Sequence, residues 1–376
     1  MSKADAARNN FKHSNQTLFM EKLIPKIKEI AEKIINVEEK RRRLARFVKE
    51  VNRELELIKD IKPAFMDDVK IAGIDGGIVK KSLHGFDCIV ARAVAVCFHY
   101  KENKVKRVEY FPSRLPTPKF EIIEALSDTE LSYFTSVMRL SLEIEKALES
   151  VNRFSPDFIL LDGSILPHYA DRPPKSSSVY KNYSKLIEMY KNLYRQCQQN
   201  NVILAGVIED SRSTNFCNLI REEILSRIKH ELVSELEKTL KKTRDTNLLF
   251  WALKRGERSM VFPYTDQIKE HPVLKDFGDL GDMIYSFYLK TAERDRPIRV
   301  DFIADEKKID VADRISSVLL SISGHHSGYG LPAPLIEADN VAKLSENEME
   351  SLYSNILIFT GNLPGMMRLR REERPF

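Results

Sequence analysis

Two apolar runs, Ile71-Ala-Gly-Ile-Asp-Gly-Gly77 and Phe158-Ile-Leu-Leu-Asp-Gly-Ser164, each reach an aspartate followed at once by glycine. A short apolar run reads as a buried strand, and glycine marks a place where the chain can turn sharply. On this reading Asp75 and Asp162 stand at the carboxyl ends of two strands. If those strands are neighbours in one sheet, the two carboxylates converge. Paired carboxylates in a cleft repel each other unless a cation lies between them, and hard divalent cations prefer oxygen ligands. The pattern points to metal-assisted phosphodiester chemistry. One Asp-Gly pair is commonly just a turn. Two of them, separated by a long helical segment, ask for more than that.

The rest of the pattern supplies a setting for them. Residues 69–75, 87–100 and 105–111 read as three successive strands, with Glu102-Asn103 as a turn, which makes an antiparallel meander. A helix over about 128–151, capped by Ser127 or Asp128, leads into the second Asp-Gly strand at 157–162. A helix near 179–199, a strand at 202–208 and a long charged amphipathic helix over 217–243 follow. Residues 245–300 read as an irregular insertion, then come a strand at 299–303 and a helix at 311–322. Pro332-Ala-Pro334 breaks the chain ahead of a helix starting near Leu335.

A meander followed by a helical crossover into a parallel fourth strand is the order of the ribonuclease H-like α/β fold. It makes the first and fourth strands adjacent. The domain reading is therefore an N-terminal helical region over 1–66, a nuclease-type domain over 67–344 with the insertion inside it, and a C-terminal helix with a basic tail over 345–376.

Upstream, Leu18, Phe19, Leu23, Ile27, Ile30, Ile34 and Ile35, then Leu44, Phe47, Val51 and Leu55, keep helical spacing. They read as two helices, or one interrupted pair, packed by a single face. Residues 1–60 carry 15 Lys/Arg against 10 Asp/Glu, which accounts for the whole net charge of +5. The run from Lys40 to Arg43, with Arg46, is either a phosphate-facing patch or a solvated helix face. A second basic cluster lies between Arg368 and Arg374. No apolar stretch approaches the roughly 20 residues that span a bilayer. Four scattered cysteines without metal-finger spacing read as reduced thiols, and a cytoplasmic location is expected.

Two-metal hydrolysis needs three or four carboxylates. The helix between the third and fourth strands offers Glu143, which flanks the apolar line of Val137, Ile144 and Leu148, with Glu145 further round toward solvent. Late in the chain, Glu337 and Asp339 lie at the start of a helix, where acidic residues also favour the helix dipole.

With these residues in hand, the chain resembles the NurA nuclease family. The resemblance rests on Gly73-Ile-Asp-Gly-Gly77, Arg139-Leu-Ser-Leu-Glu143, Leu160-Leu-Asp-Gly-Ser164, Ala205-Gly-Val-Ile-Glu-Asp-Ser-Arg212 and Gly330-Leu-Pro-Ala-Pro-Leu335 leading to Asp339. They occur in that order from about 69 to 344. What the resemblance implies is a manganese-dependent nuclease (Mg²⁺ being the alternative ion) with single-strand endonuclease and 5′-to-3′ exonuclease activity on DNA. It implies a role in double-strand-break end resection with a hexameric HerA-type translocase, and a homodimer. By position, Asp75, Glu143, Asp162 and Asp339 resemble the metal-binding carboxylates, while Arg212 and Tyr329 fall at substrate-binding positions. One departure is Glu209, where a lysine is expected after the Gly-Val strand; His325-His326 has no assigned place.

Two rivals remain open at this point. An actin-like or sugar-kinase-type ATPase also grips phosphates with Asp-Gly turns at strand ends. A non-catalytic scaffold with a nuclease-like core is the other. The absence of a GxxxxGK[ST] loop excludes a P-loop motor. Phe250, Trp251, Phe262 and Tyr264 read either as core contacts or as stacking surfaces for unpaired bases.

Overall fold

A computed structural model describes residues 3–225, 233–361 and 363–370. Part of the 217–243 helix reading and the Arg371–Arg374 end of the basic tail lie outside the described residues, as do the side chains of Leu18 and Phe19. The elements are α1 (Lys3–Leu55), β1 (Ile58–Asp60), β2 (Val69–Ser82), β3 (Phe86–Lys101), β4 (Lys104–Phe111) and β5 (Lys119–Glu124). They continue with α2 (Asp128–Phe154), β6 (Phe158–Asp162), α3 (Tyr180–Gln199), β7 (Ile203–Ile208), α4 (Asn215–Leu219), α5 (Val233–Leu240) and α6 (Asp245–Ala252). The last are β8 (Glu257–Ser259), β9 (Phe262–Pro263), β10 (Ile284–Leu289), β11 (Ile298–Ile303), α7 (Lys308–Ile322), α8 (Ala333–Ala342) and α9 (Glu346–Thr360).

The strands form one mixed sheet in the order β1-β8-β10-β11-β7-β6-β2-β3-β4, with β5 on β3 and β9 on β10. The meander β2–β3–β4 is antiparallel, and Glu102 and Asn103 close its second hairpin at positive φ. Strands β6 and β7 run parallel to β2 and to each other. This is the ribonuclease H-like order expected from the sequence, with the first and fourth strands of the core side by side.

Both faces of the sheet are covered, which is why β2, β6 and β7 are near-continuous apolar runs. On one face α2 and α3 bury Val137, Ile144, Leu186 and Leu193 against Ala72, Ile74, Ile159 and Leu161. On the other, α7 and α8 bury Ile315, Leu319 and Leu335 against Ile71, Leu160 and Val207. Ser127 caps α2, its side chain accepting from the Glu130 N–H.

Two expectations are corrected, and one open alternative is decided. Residues 245–300 are not an irregular insertion: β10 lies within the sheet, paired along its whole length with β11, and β8 and β9 pair with β10 in turn. The local pattern hid this because the strands are two to six residues long and 3₁₀ turns at Leu274–Asp276 and Gly278–Met283 lie between β9 and β10. Second, α1 is a single helix rather than two, and it does not pack along its whole length. Leu44, Ala45 and Val48 are buried against α4 and α6, whereas Ile24, Ile27, Ile30, Ile34 and Val37 are exposed. Of the two readings of the aromatic residues at 250–264, core contact holds, since they are largely interior. Phe262 is buried against Phe216 and Tyr288, the Trp251 indole N–H donates to Glu38, and Tyr264 lies under the Arg299 guanidinium.

The N-terminal basic run is partly neutralised within its own helix. Arg41 pairs with Glu38, and Arg42 and Arg46 reach Glu39. Among the described residues no helix is long and apolar enough to cross a membrane. The four cysteines are buried free thiols.

Candidate active site

Asp75 and Asp162 become neighbours through strand register. Ile74 is paired with Leu161 in the parallel β2–β6 ladder, so the next residue on each strand is an aspartate. Paired residues of a parallel ladder point to the same face, and the two carboxylates share a hydrogen bond. The Asp-Gly pairs nevertheless differ. Gly163 adopts φ +102° and turns the chain out of β6, as a sharp turn requires. Asp75 does not end its strand, because β2 continues through Gly76 and Gly77 to Ser82. It sits instead at the level where its shorter neighbour stops, facing the opening this leaves in the sheet.

The glycines of β2 serve close approach rather than turning. A side chain at Gly73 would strike the Pro334 carbonyl and one at Gly77 the Ala342 carbonyl, so both ends of α8 lie directly on the strand. That contact brings Asp339, exposed near the middle of α8, over the Asp75 face. On the opposite face the Glu143 carboxylate occupies the space a side chain at Gly76 would need, with Oε1 2.7 Å from that Cβ position.

Glu143 is buried and pairs with Arg139 one turn earlier on α2, whereas Glu145 is exposed and paired with Lys146. Glu337 is engaged as well, accepting from the Tyr110 hydroxyl at 2.7 Å. Of the acidic alternatives in the sequence, Glu143 and Asp339 are therefore the ones whose charge reaches the aspartates.

Electrostatics follow from this crowding. Burial pushes Asp75 above the usual carboxylate range and the charge of Asp339 adds to it; the Gly76 N–H, Arg139 and the hydrogen bond with Asp162 pull it back. Asp162 is likewise raised, by burial first and then by Asp75, although it keeps one side open to water that weakens the repulsion. Glu143 is pushed up to about 8 by burial, against the pull of Arg139 and with help from Asp75 and Asp162. The two partners of that ion pair are driven in opposite senses: Glu143 holds the Arg139 proton more firmly, while enclosure works against the carboxylate charge. Enclosure wins at Glu143 because its side chain is nearly shut off from solvent, whereas Arg139 is a third exposed.

Tyr329 stands exposed at the rim; partial burial and the charges of Glu209, Asp339 and Asp162 hold its hydroxyl protonated. Glu209, at the end of β7, is exposed and adds negative charge to the same mouth, where a lysine was expected. Arg212 is exposed on the loop that follows, its carbonyl accepting from Arg244; the cation acting on the cluster is Arg139. His325 and His326 are exposed, and His326 Nδ1 accepts from the Gly328 N–H to shape its own turn.

The donor set is all oxygen and mutually repelling, with Asp75 and Glu143 buried and Asp162 and Asp339 open to solvent, which fits a hard divalent cation reached from the cleft mouth. Among the described residues no three His, Cys, Asp or Glu side chains are arranged as a ready ion cage, since Glu143 is turned onto Arg139. Arg139, quoted in the sequence only as the first residue of the Glu143 motif, was given no role there. The i, i+4 spacing of Arg139 and Glu143 on a helix face was its signal.

The sequence matches the model of the NurA domain over residues 69–344. No curated protein matches the chain. Among solved structures, the NurA nuclease from Sulfolobus solfataricus is 18% identical, covering 89% of this chain and 98% of that one with a TM-score of 0.55, a likeness of fold. A NurA structure with dAMP and manganese is 12% identical, covering 90% and 98%, with a TM-score of 0.46.

Proposed function

Since the chain belongs to the NurA domain family, we propose that the cleft of Asp75, Glu143, Asp162 and Asp339 is the active centre of a metal-dependent DNA nuclease. The observation that carries this reading is the pairing of Asp75 with Asp162 at the point where β6 stops, with Glu143 reaching in from the other face over Gly76. Carboxylates crowded this closely, two of them buried, are stabilised together by added counter-charge. Mn²⁺ is the proposed ion and Mg²⁺ the alternative, in line with the family resemblance. Bound there, divalent ions would polarise a phosphodiester oxygen and make water a stronger nucleophile.

The chain's own residues divide the remaining work. Asp75 and Asp162 offer oxygen donors from one face and Asp339 from the helix above them. Glu143 offers a fourth carboxylate, for which an ion competes with Arg139. Tyr329, keeping its proton, donates to a phosphate oxygen at the rim, and Arg212 approaches the backbone phosphates with its guanidinium fork. In-line attack leaves a 3′-hydroxyl and a 5′-phosphate.

The finer reading, single-strand endonuclease and 5′-to-3′ exonuclease action in end resection with a HerA-type translocase, follows the family resemblance. A homodimer has support in this chain: Met20, Leu23, Ile27, Ile30, Ile34 and Val37 of α1 alternate at spacings of three and four, the seam of a coiled coil, and five of the six are exposed. Family membership displaces the ATPase reading of the Asp-Gly pairs.

The test is cleavage of labelled single- and double-stranded DNA with Mn²⁺, Mg²⁺ or EDTA, comparing the wild type with Asp75→Ala. Cleavage that needs the ion and vanishes in the variant is expected. Intact DNA under every condition, with a translocase partner present, would leave the scaffold reading in its place.

A further inference from the structure

The short turn that carries Asp162 is tied down from three directions. The Gly163 N–H donates to the Val207 carbonyl at 2.9 Å, and the Tyr194 hydroxyl donates to the Ile165 carbonyl. Between them, the Ser164 hydroxyl donates to Asp301 Oδ2 at 2.7 Å. Asp301, on β11, is 1% exposed. Its other oxygen, Oδ1, accepts from the Ser286 hydroxyl at 2.6 Å and from Arg299 Nε at 2.7 Å, and Arg299 also donates to Ser286 at 3.0 Å.

A buried carboxylate is costly unless paired and hydrogen-bonded, and this one is fully engaged. It spends one oxygen on holding Arg299 and Ser286 and the other on Ser164 alone. Gly206 removes the last slack, because a Cβ there would lie 2.5 Å from the Gly163 carbonyl. The turn is thus clamped between β7, α3 and the β10–β11 hairpin.

We propose that Ser164 and Asp301 are positioning residues that fix the Asp162 turn in its ligating pose: Asp301, anchored by its ion pair with Arg299, holds Ser164, and Ser164 holds Asp162 two residues away. This rests on the nuclease reading of the same site and extends it to strands far along the chain. Partners that orient a ligand typically set about 10–100-fold in metal affinity.

The test measures Mn²⁺ binding by calorimetry on the full chain, together with thermal stability, kcat and KM for DNA, in Ser164→Ala and Ser286→Ala. Both remove one hydroxyl from Asp301, but only the first frees the turn. Ser164→Ala is expected to weaken Mn²⁺ binding roughly tenfold and to lower kcat with KM for DNA little changed. Ser286→Ala is expected to bind Mn²⁺ as the wild type does. Equal Mn²⁺ affinity in both variants, whether both weakened or both unaffected, overturns the proposal. If the wild type binds Mn²⁺ with the predicted difference between variants but cuts no DNA, the nuclease reading fails and the positioning role stands. A wild type that binds no Mn²⁺ refutes both.

Discussion

The Glu143 carboxylate fills the space where a side chain at Gly76 would stand, so a helix on one face of the sheet and a strand glycine together define the floor of the cleft. Gly76→Ala places a methyl 2.7 Å from Glu143 Oε1. The obstacle is the Glu143 side chain, Oε1 at 2.7 Å and Cγ at 2.8 Å, and not backbone, so the side chain rather than the strand gives way and the carboxylate is displaced. Expected is a loss of ten-fold or more in cleavage, in the range of a misplaced catalytic group, with the melting temperature nearly unchanged. Gly73→Ala and Gly77→Ala meet the Pro334 and Ala342 carbonyls instead and should lower the melting temperature markedly. Equal melting losses in all three would remove the distinction.

Crowded carboxylates set catalysis against stability. Asp162→Asn takes away one of the charges that raise Glu143. In EDTA this variant should melt above the wild type, and Mn²⁺ should raise its melting temperature less, while cleavage is abolished. A variant that melts lower than the wild type in EDTA would show that the carboxylates do not strain the fold.

The exposed seam of α1 predicts association. Ile27→Glu together with Ile34→Glu puts charge at two seam positions one heptad apart that are 49% and 58% exposed. The molecular mass by equilibrium sedimentation should halve, and circular dichroism should report an intact fold, because the domain-packed part of the helix begins at Leu44. A wild type that already sediments as a monomer refutes the pairing.

Lys290 carries a pH prediction. It is buried, with its ammonium 4.0 Å from the Phe250 ring, and burial lowers its pKa from 10.5 to about 8 against the pull of Asp295 and Glu293. The unfolded chain therefore binds more protons than the folded one between those values, and stability rises with pH across that window. Below about pH 8 the penalty is present in full. Lys290→Met should stabilise the protein at pH 7, on the order of 1 kcal/mol, with the gain shrinking toward pH 10. Urea midpoints at the two pH values decide it, and a loss at pH 7 would count against the assignment.

Local periodicity, by itself, determined a great deal of this protein. Alternation and apolar runs located β2, β3, β4, β6, β7 and β11, and helical spacing with capping and chain-breaking residues located α2, α3, α7 and α8, because these signals lie within ten to twenty consecutive residues. The element order then sufficed to bring Asp75 beside Asp162. What only the tertiary structure decided depends on contacts between distant segments. It separated Glu143 from Glu145 by burial and engaged Glu337 with Tyr110, leaving Asp339 over the aspartates. It carried β2 past its Asp-Gly pair to Ser82, since the antiparallel partner β3 continues alongside it. It drew β10 into the sheet to anchor the Asp162 turn through Asp301, and it left the first half of α1 bare. A side chain's pattern tells which face it occupies; what that face meets is settled by long-range packing, for which a single stretch of sequence carries no signal.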